Sequence, residues 1–239
     1  MSGKIRVLLL SANPLPTSRI LVDLEAREIR ERLEEGPHRN RFELYQCEAT
    51  RPIDIQKLML KHGPHIVHFC GHGHKTRQII LDGAPGRAKT VDNQGLAQVF
   101  ALYKHQVHLV VLNACFTDVL ARSIVQTVDY AVGSSLGIGD KAAVAFAGAF
   151  YRALGFGKSI PDAFKSAKAE LALTKISRSR GIELFIKNGV GKQNVFPCFD
   201  ENRNLPRRTR GANRVLKTEI RFQCRITLQN NSASSLARF

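Results

Sequence analysis

The stretch His65-Ile-Val-His-Phe-Cys-Gly-His-Gly-His74 is an apolar, β-branched run that stops abruptly in a turn rich in glycine and histidine. Such a run predicts a strand that is buried on both faces, as in a parallel sheet. The segment Val107 to Leu112 has the same character and ends at Asn113-Ala-Cys115. Reactive side chains that follow two such strands predict a site at the carboxyl edge of one sheet.

Extended and helical segments alternate on both sides of these two strands. Asp92 fits a helix N-cap, and Pro161 fits the first turn of another helix, where its missing N–H costs little. The other predicted strands are Ile5 to Leu10, Phe42 to Cys47, Tyr130 to Val132 and Ile182 to Ile186. This alternation predicts an α/β fold in which helices flank a mostly parallel central sheet on both faces.

The two strand ends carry a histidine and a cysteine that can react together. Neighbouring strands lie about 4.8 Å apart, so His72 and Cys115 come within reach of each other if their strands pair. His72 then accepts the thiol proton, and the thiolate is the nucleophile. The backbone N–H groups of Gly73 and Cys115 are candidates for an oxyanion hole.

The motifs His68-Phe-Cys-Gly-His-Gly73 and Leu112-Asn-Ala-Cys115 resemble the His and Cys motifs of the CHAT family, bacterial relatives of caspases, separases and gingipains. The opening Leu8-Leu-Leu-Ser-Ala-Asn-Pro14 and the Ile138-Gly-Asp-Lys-Ala-Ala143 segment look like stand-alone members of that family. The resemblance implies a three-layer caspase-like fold and a cysteine endopeptidase without a cofactor. His72 would be its general base and Cys115 its nucleophile.

In relatives of this kind, the pocket for the substrate residue before the scissile bond (P1) is built past the next strand. By that resemblance, Ser134, Ser135 and Asp140 are candidate substrate-binding residues. Asp140 also fits the N-cap of an Ala-rich helix, which is the favoured interpretation here. The resemblance implies no particular P1 residue, because relatives differ in this pocket.

Two other kinds of site compete with a peptidase. Zinc is the first, because Cys70, His72, His74 and Cys115 are all possible ligands, although no CxxC accompanies them. A nucleotide-binding domain is the second, and it is excluded because no GxGxxG follows the first strand. His68 and His74 are assigned no chemistry, and Cys70 is expected to pack rather than react.

The chain has a net charge of +16, and most of the basic excess lies beyond residue 150. A non-catalytic module is therefore an alternative, in which the basic tail recruits nucleic acid or a partner chain. The densest basic cluster contains Arg203, Arg207, Arg208 and Arg210. The even positions of Leu216 to Gln229 are mostly apolar, which predicts a half-buried strand after this cluster.

Length and cysteine content complete the expectations. The 239 residues suit one α/β domain with an appendage, here a domain over 1–174, its extension over 175–199 and a basic tail over 200–239. Five scattered cysteines do not suit a secreted disulfide framework. With no secretory signal and no membrane span in the sequence, we expect a cytoplasmic protein. As a peptidase it would act on protein substrates, and we expect a separate activating or sensor protein to restrain it.

Overall fold

The computed structural model describes residues 3–15, 17, 20–83 and 87–190. The strands are β1 (Ile5–Ser11), β2 (Phe42–Cys47), β3 (Ile66–Cys70), β4 (His72–Gly73), β5 (Ile79–Asp82), β6 (Ala88–Thr90), β7 (Leu109–Asn113), β8 (Tyr130–Ser134) and β9 (Ile182–Ile186). The helices are α1 (Val22–Glu34), α2 (Pro52–His62), α3 (Asn93–Leu102), α4 (Asp118–Ile124), α5 (Asp140–Gly155) and α6 (Ile160–Leu173). No helix in these ranges is long and apolar enough to cross a membrane.

Six strands form the main sheet in the order β2-β1-β3-β7-β8-β9. The first five are parallel, and β9 runs antiparallel to β8. The predicted mostly parallel sheet is therefore confirmed, as is the pairing of β3 with β7. A separate three-stranded sheet, β4-β5-β6, forms an excursion between β3 and α3.

Helices cover both faces of the main sheet, which makes three layers. Along β1, Ile5, Val7 and Leu9 pack with α1, α5 and α6 in one core cluster. The alternate residues Leu8 and Leu10 pack with α2, α3 and α4 in the other. Both sets are almost fully buried, which explains why the strand is continuously apolar.

The helix starts show which local signals determine the fold. The Asp92 side chain accepts from the Gly95 N–H at 2.6 Å, which confirms the predicted N-cap of α3. Pro161 lies in the first turn of α6, also as predicted. The predicted Asp140 cap is wrong, because Gly139 is the N-cap of α5 and makes no side-chain capping bond. Asp140 is instead the first residue of the helix.

The described residues end at 190, so they include the predicted boundary at residue 174 but not the one at residue 199. Strand β9 pairs with β8 over five residues, so the 182–186 segment belongs to the main sheet. The basic cluster and the predicted strand over residues 216–229 lie outside the described residues.

Candidate active site

The ends of β3 and β7 lie side by side at the carboxyl edge of the sheet. Cys70 is in register with Asn113, and the chains continue by two residues to His72 and Cys115. Both side chains are half-buried and line one cavity of about 240 Å³. The structure thus brings together the pair that the sequence predicted for nucleophile and base.

A strained turn presents Cys115. The next residue, Phe116, has a φ of 56°, a left-handed conformation that is uncommon for a non-glycine residue. The Thr117 hydroxyl lies 3.1 Å from the carbonyl of Ala114 and 3.2 Å from that of Leu112, which fixes the start of the turn. Non-glycine strain of this kind persists where surrounding contacts hold it, and it is frequent at functional sites.

The loop before α5 holds the sulfur of Cys115. The Ile138 N–H donates to Sγ at 3.2 Å, and Sγ lies 3.6 Å from the Ile138 carbonyl oxygen. The loop therefore positions the thiol through both backbone groups of Ile138.

Asn13 orients the imidazole of His72. Its Oδ1 lies 3.2 Å from His72 Nε2, which places Nδ1 on the opposite side of the ring. A base that is oriented by a third group is the general pattern of activated nucleophiles. The sequence contained Asn13 in the loop after β1, but nothing in its spacing linked it to His72.

An ion pair joins the hairpin that carries His72 to the helix that follows Cys115. The guanidinium of Arg77 lies 2.5 and 2.6 Å from the two carboxylate oxygens of Asp118, the first residue of α4. Asp118 is largely buried, whereas Arg77 is exposed. This contact fixes one half of the site relative to the other.

Gly73 packs directly against the backbone of Cys115. A Cβ at this position would lie 1.6 Å from the carbonyl oxygen and 3.0 Å from the nitrogen of Cys115, so only glycine fits. The His74 N–H donates to the Gln78 carbonyl, and successive N–H groups of an extended strand point in opposite directions. The Gly73 N–H therefore faces away from β5, as an oxyanion hole with Cys115 requires.

A buried polar cluster adjoins the cavity, and three of its members, Glu25, Cys70 and Asn113, line it. Glu25 Oε1 accepts from Asn113 Nδ2 at 2.6 Å and lies 2.7 Å from His68 Nε2, and its Oε2 accepts from Cys70 Sγ at 2.8 Å. The Tyr151 hydroxyl lies 3.2 Å from the other ring nitrogen of His68. All five residues are at most 5% exposed. A neutral imidazole satisfies both of its contacts when Nε2 donates to Glu25 and Nδ1 accepts from Tyr151.

The cluster raises the pKa of two of its members. Burial, and then the negative charge of Glu25, raise the pKa of the Cys70 thiol well above its ordinary value. The same two causes raise the pKa of Tyr151. Cys70 is thus a packed, protonated thiol, as expected from the sequence. Glu25 was missed, because one carboxylate within a helical, charged segment gives no sign that it is buried.

The three candidate substrate-binding residues are separated by the structure. Ser134 is fully buried, and its hydroxyl donates to the Leu136 carbonyl at 2.9 Å. The Ser135 hydroxyl donates to Glu183 Oε1 at 2.5 Å. Neither serine is among the residues that line the cavity at Cys115, and their hydroxyls serve the β8–β9 connection, so their binding of substrate stays a prediction. Asp140 does line that cavity.

The side chains of the zinc alternative have different surroundings. Cys70 is buried against Glu25, and His74 is exposed and bonded to Thr76 at 2.8 Å through Nδ1. Within the described ranges, no group of three or more His, Cys, Asp or Glu side chains is arranged to hold a metal ion.

The sheet order, the two helical layers and the paired His and Cys loops define a caspase-like α/β fold. Two solved structures share it, each with a TM-score of 0.53. One is a secreted C11 cysteine protease from Bacteroides thetaiotaomicron in complex with an irreversible peptide inhibitor, 14% identical and covering 77% of this chain and 66% of that chain. The other is the Arg-specific cysteine proteinase gingipain R, 10% identical and covering 76% of this chain and 46% of that chain.

The chain belongs to the CHAT family, because the CHAT domain model matches residues 11–207. A relative named Roc-COR-CHAT protease, from an unknown prokaryotic organism, is 27% identical over 128 residues. That match covers 51% of this chain and 12% of the relative, so this chain corresponds to a small part of a much longer protein.

Proposed function

We propose that this protein is a cysteine endopeptidase that cleaves protein substrates through Cys115 and His72. The observation that carries the proposal is the shared cavity, which is lined by both side chains and by Gly73. The close packing of Gly73 against the backbone of Cys115 supports an oxyanion hole made of the N–H groups of these two residues. Nucleophile, base and oxyanion donors are the parts that acyl transfer needs.

The first step forms the acyl-enzyme. The Cys115 proton moves to His72, and the sulfur attacks the scissile carbonyl carbon, which becomes tetrahedral and carries an oxyanion. The N–H groups of Gly73 and Cys115 stabilise that charge. When the C–N bond breaks, His72 returns its proton to the leaving amine, and a thioester remains on Cys115.

The second step releases the new carboxyl end of the substrate. His72 takes a proton from water, the hydroxide attacks the thioester carbonyl, and the C–S bond breaks with the proton returned to sulfur. The same donors stabilise the second tetrahedral intermediate. Asn13 assists both steps as a positioning residue, since it orients the imidazole through Nε2.

We further infer that this activity serves a regulated bacterial defence, stress or cell-death system in the cytoplasm, and that a separate sensor or activating protein controls it. The support is the family membership and the much greater length of the Roc-COR-CHAT relative. An unrestrained endopeptidase would damage its own cell, and partner-induced closure of loops is a common form of restraint.

The test is cleavage of a proteome-derived peptide library, read by mass spectrometry, with wild type, Cys115→Ala, His72→Ala and Cys47→Ala. We expect new peptide ends with wild type and Cys47→Ala, and none with the other two. Cys47 is the matched control because it is a partly exposed thiol outside the cavity. Cleavage that survives Cys115→Ala would show that Cys115 is not the nucleophile.

A further inference from the structure

We infer that the cavity beside Cys115 is a pocket for a basic P1 side chain, so that the enzyme cleaves after arginine or lysine. This inference rests on the proposed function, because it assigns the substrate class of the same site. The observation behind it is a buried carboxylate, Glu25, in a cavity that also reaches Cys115 and has Asp140 among its lining residues.

Part of the cavity wall is apolar. Ile20 and Leu21 line it from the segment just before α1, and Ile138, Ala143 and Val144 line it from α5 and the loop before it. The side chains of Lys and Arg combine an apolar methylene stem with a charged end. A pocket with an apolar stretch of wall and a buried carboxylate matches both parts of such a side chain.

The carboxylate of Glu25 retains room for a further donor. A carboxylate has about four acceptor positions, and the three contacts within the cluster use two on Oε1 and one on Oε2. The bonds from His68, Cys70 and Asn113 hold the carboxylate in place, so a substrate meets a fixed negative group. A cation that enters this cavity is therefore met by a preorganised acceptor.

A second carboxylate extends the negative field toward solvent. Asp140 is exposed and lines the cavity. Glu25 and Asp140 line the same cavity, so their negative charges act on one region. Two negative groups there disfavour an acidic P1 side chain by repulsion and favour a basic one.

Among the described residues that line this cavity, Arg178 is the one lysine or arginine. Its positive charge would favour an acidic P1 side chain. It is exposed, and its side chain lies 3.5 Å from the Cβ position that Gly139 would have. It therefore lies beside the loop before α5, whereas Glu25 is buried. Because the buried carboxylate would meet the end of the P1 side chain, we give the deciding role to Glu25.

The test uses peptidyl acyloxymethyl ketone probes that share one sequence and differ only at P1, which is Arg, Lys, Leu, Gln or Asp. Labelling of Cys115 is followed by intact mass, with His72→Ala as the control for the proposed function. We expect the Arg and Lys probes to react about tenfold faster than the others, which is the discrimination expected from one desolvated charge pair.

Two substitutions test the roles of Glu25 and Asp140. Each variant is tested with all five probes. Glu25→Gln keeps the size of the side chain and should remove the preference for Arg and Lys, with thermal unfolding measured in parallel because the residue is buried. Because Asp140 is exposed, Asp140→Asn should lower the labelling rate of only the Arg and Lys probes, by about threefold. Glu34→Gln removes an exposed charge from the same helix as Glu25 and should change nothing.

The outcomes separate the two proposals. If Cys115 reacts in a His72-dependent way but fastest with the Leu or Gln probe, the endopeptidase stands and the basic pocket is wrong. If the Asp probe is fastest and Arg178→Gln abolishes its advantage, Arg178 sets the specificity instead. If no probe labels Cys115 in a His72-dependent way, the proposed function itself fails and the P1 assignment fails with it.

Discussion

Replacing Gly73 with alanine places a methyl group where the carbonyl of Cys115 already lies. The new Cβ would be 1.6 Å from that oxygen, whereas real Cβ contacts do not fall below 3.0 Å, so the two backbones must separate by the difference, about 1.4 Å. A misplacement of about 1 Å at a catalytic centre can cost about 100-fold in rate. We therefore expect Gly73→Ala to lower kcat/KM at least about 100-fold, or about 2.7 kcal/mol of transition-state stabilisation.

The assay is the second-order rate of Cys115 labelling by the best peptidyl probe, together with kcat/KM on a matching peptide. Gly95→Ala is the matched control, because a Cβ there meets only the Asp92 side chain, at 3.3 Å or more, and alanine suits a helix better than glycine. Both variants should unfold cooperatively on heating. A Gly73→Ala enzyme with the wild-type rate would refute the claim that Gly73 and Cys115 must be in backbone contact.

Three further substitutions test the groups that hold the site. Asn13→Ala should lower kcat/KM about tenfold in steady-state assays, because groups that orient a catalytic imidazole typically contribute that much. Arg77→Gln breaks the ion pair with Asp118 and should cost at most about 1 kcal/mol of unfolding free energy in denaturant titrations, while lowering kcat/KM severalfold through misalignment of His72. Burial, and then nearby positive charge, lower the pKa of His65 to about 4. Stability that is present above pH 6.5 should thus be lost as the pH falls toward 4, and His65→Asn should flatten that loss in pH-dependent melting.

A control or a contrary outcome accompanies each of these variants. An unchanged rate in Asn13→Ala would show that the His72 ring is held without the amide. Arg27→Gln breaks an exposed pair with Glu31 on α1 and should leave kcat/KM unchanged. His105→Asn alters an exposed histidine and should keep the acid sensitivity of wild type. If His65→Asn unfolds in acid as readily as wild type, other groups cause the loss.

Much of the fold was predictable because both faces of the sheet are buried. The apolar runs that become β1, β3 and β7 have few polar residues, so their position and parallel pairing follow from pattern alone. The predicted N-cap of α5 was wrong, because in sequence Asp140, a polar residue beside a glycine, resembles a cap. There the N-cap is Gly139, and the Asp140 side chain lines the cavity instead.

The candidate site was predictable where strand ends determine it and hidden where it depends on side chains distant in sequence. His72 and Cys115 follow directly from the register of β3 with β7. Asn13 and Glu25 reach the site from a loop and a helix that lie 59 and 88 residues from their partners His72 and Asn113. Nothing local to either residue indicates that contact, because it arises only when the layers pack.

The most direct test of the account is the rate at which an Arg-containing peptidyl probe labels Cys115 in wild type and in His72→Ala, measured by intact mass at neutral pH. We predict selective labelling of Cys115 over the other thiols, with a loss of at least about 100-fold in His72→Ala, in the range for a general base. Equal labelling of the two proteins, or labelling spread over several cysteines, would contradict a Cys115–His72 pair.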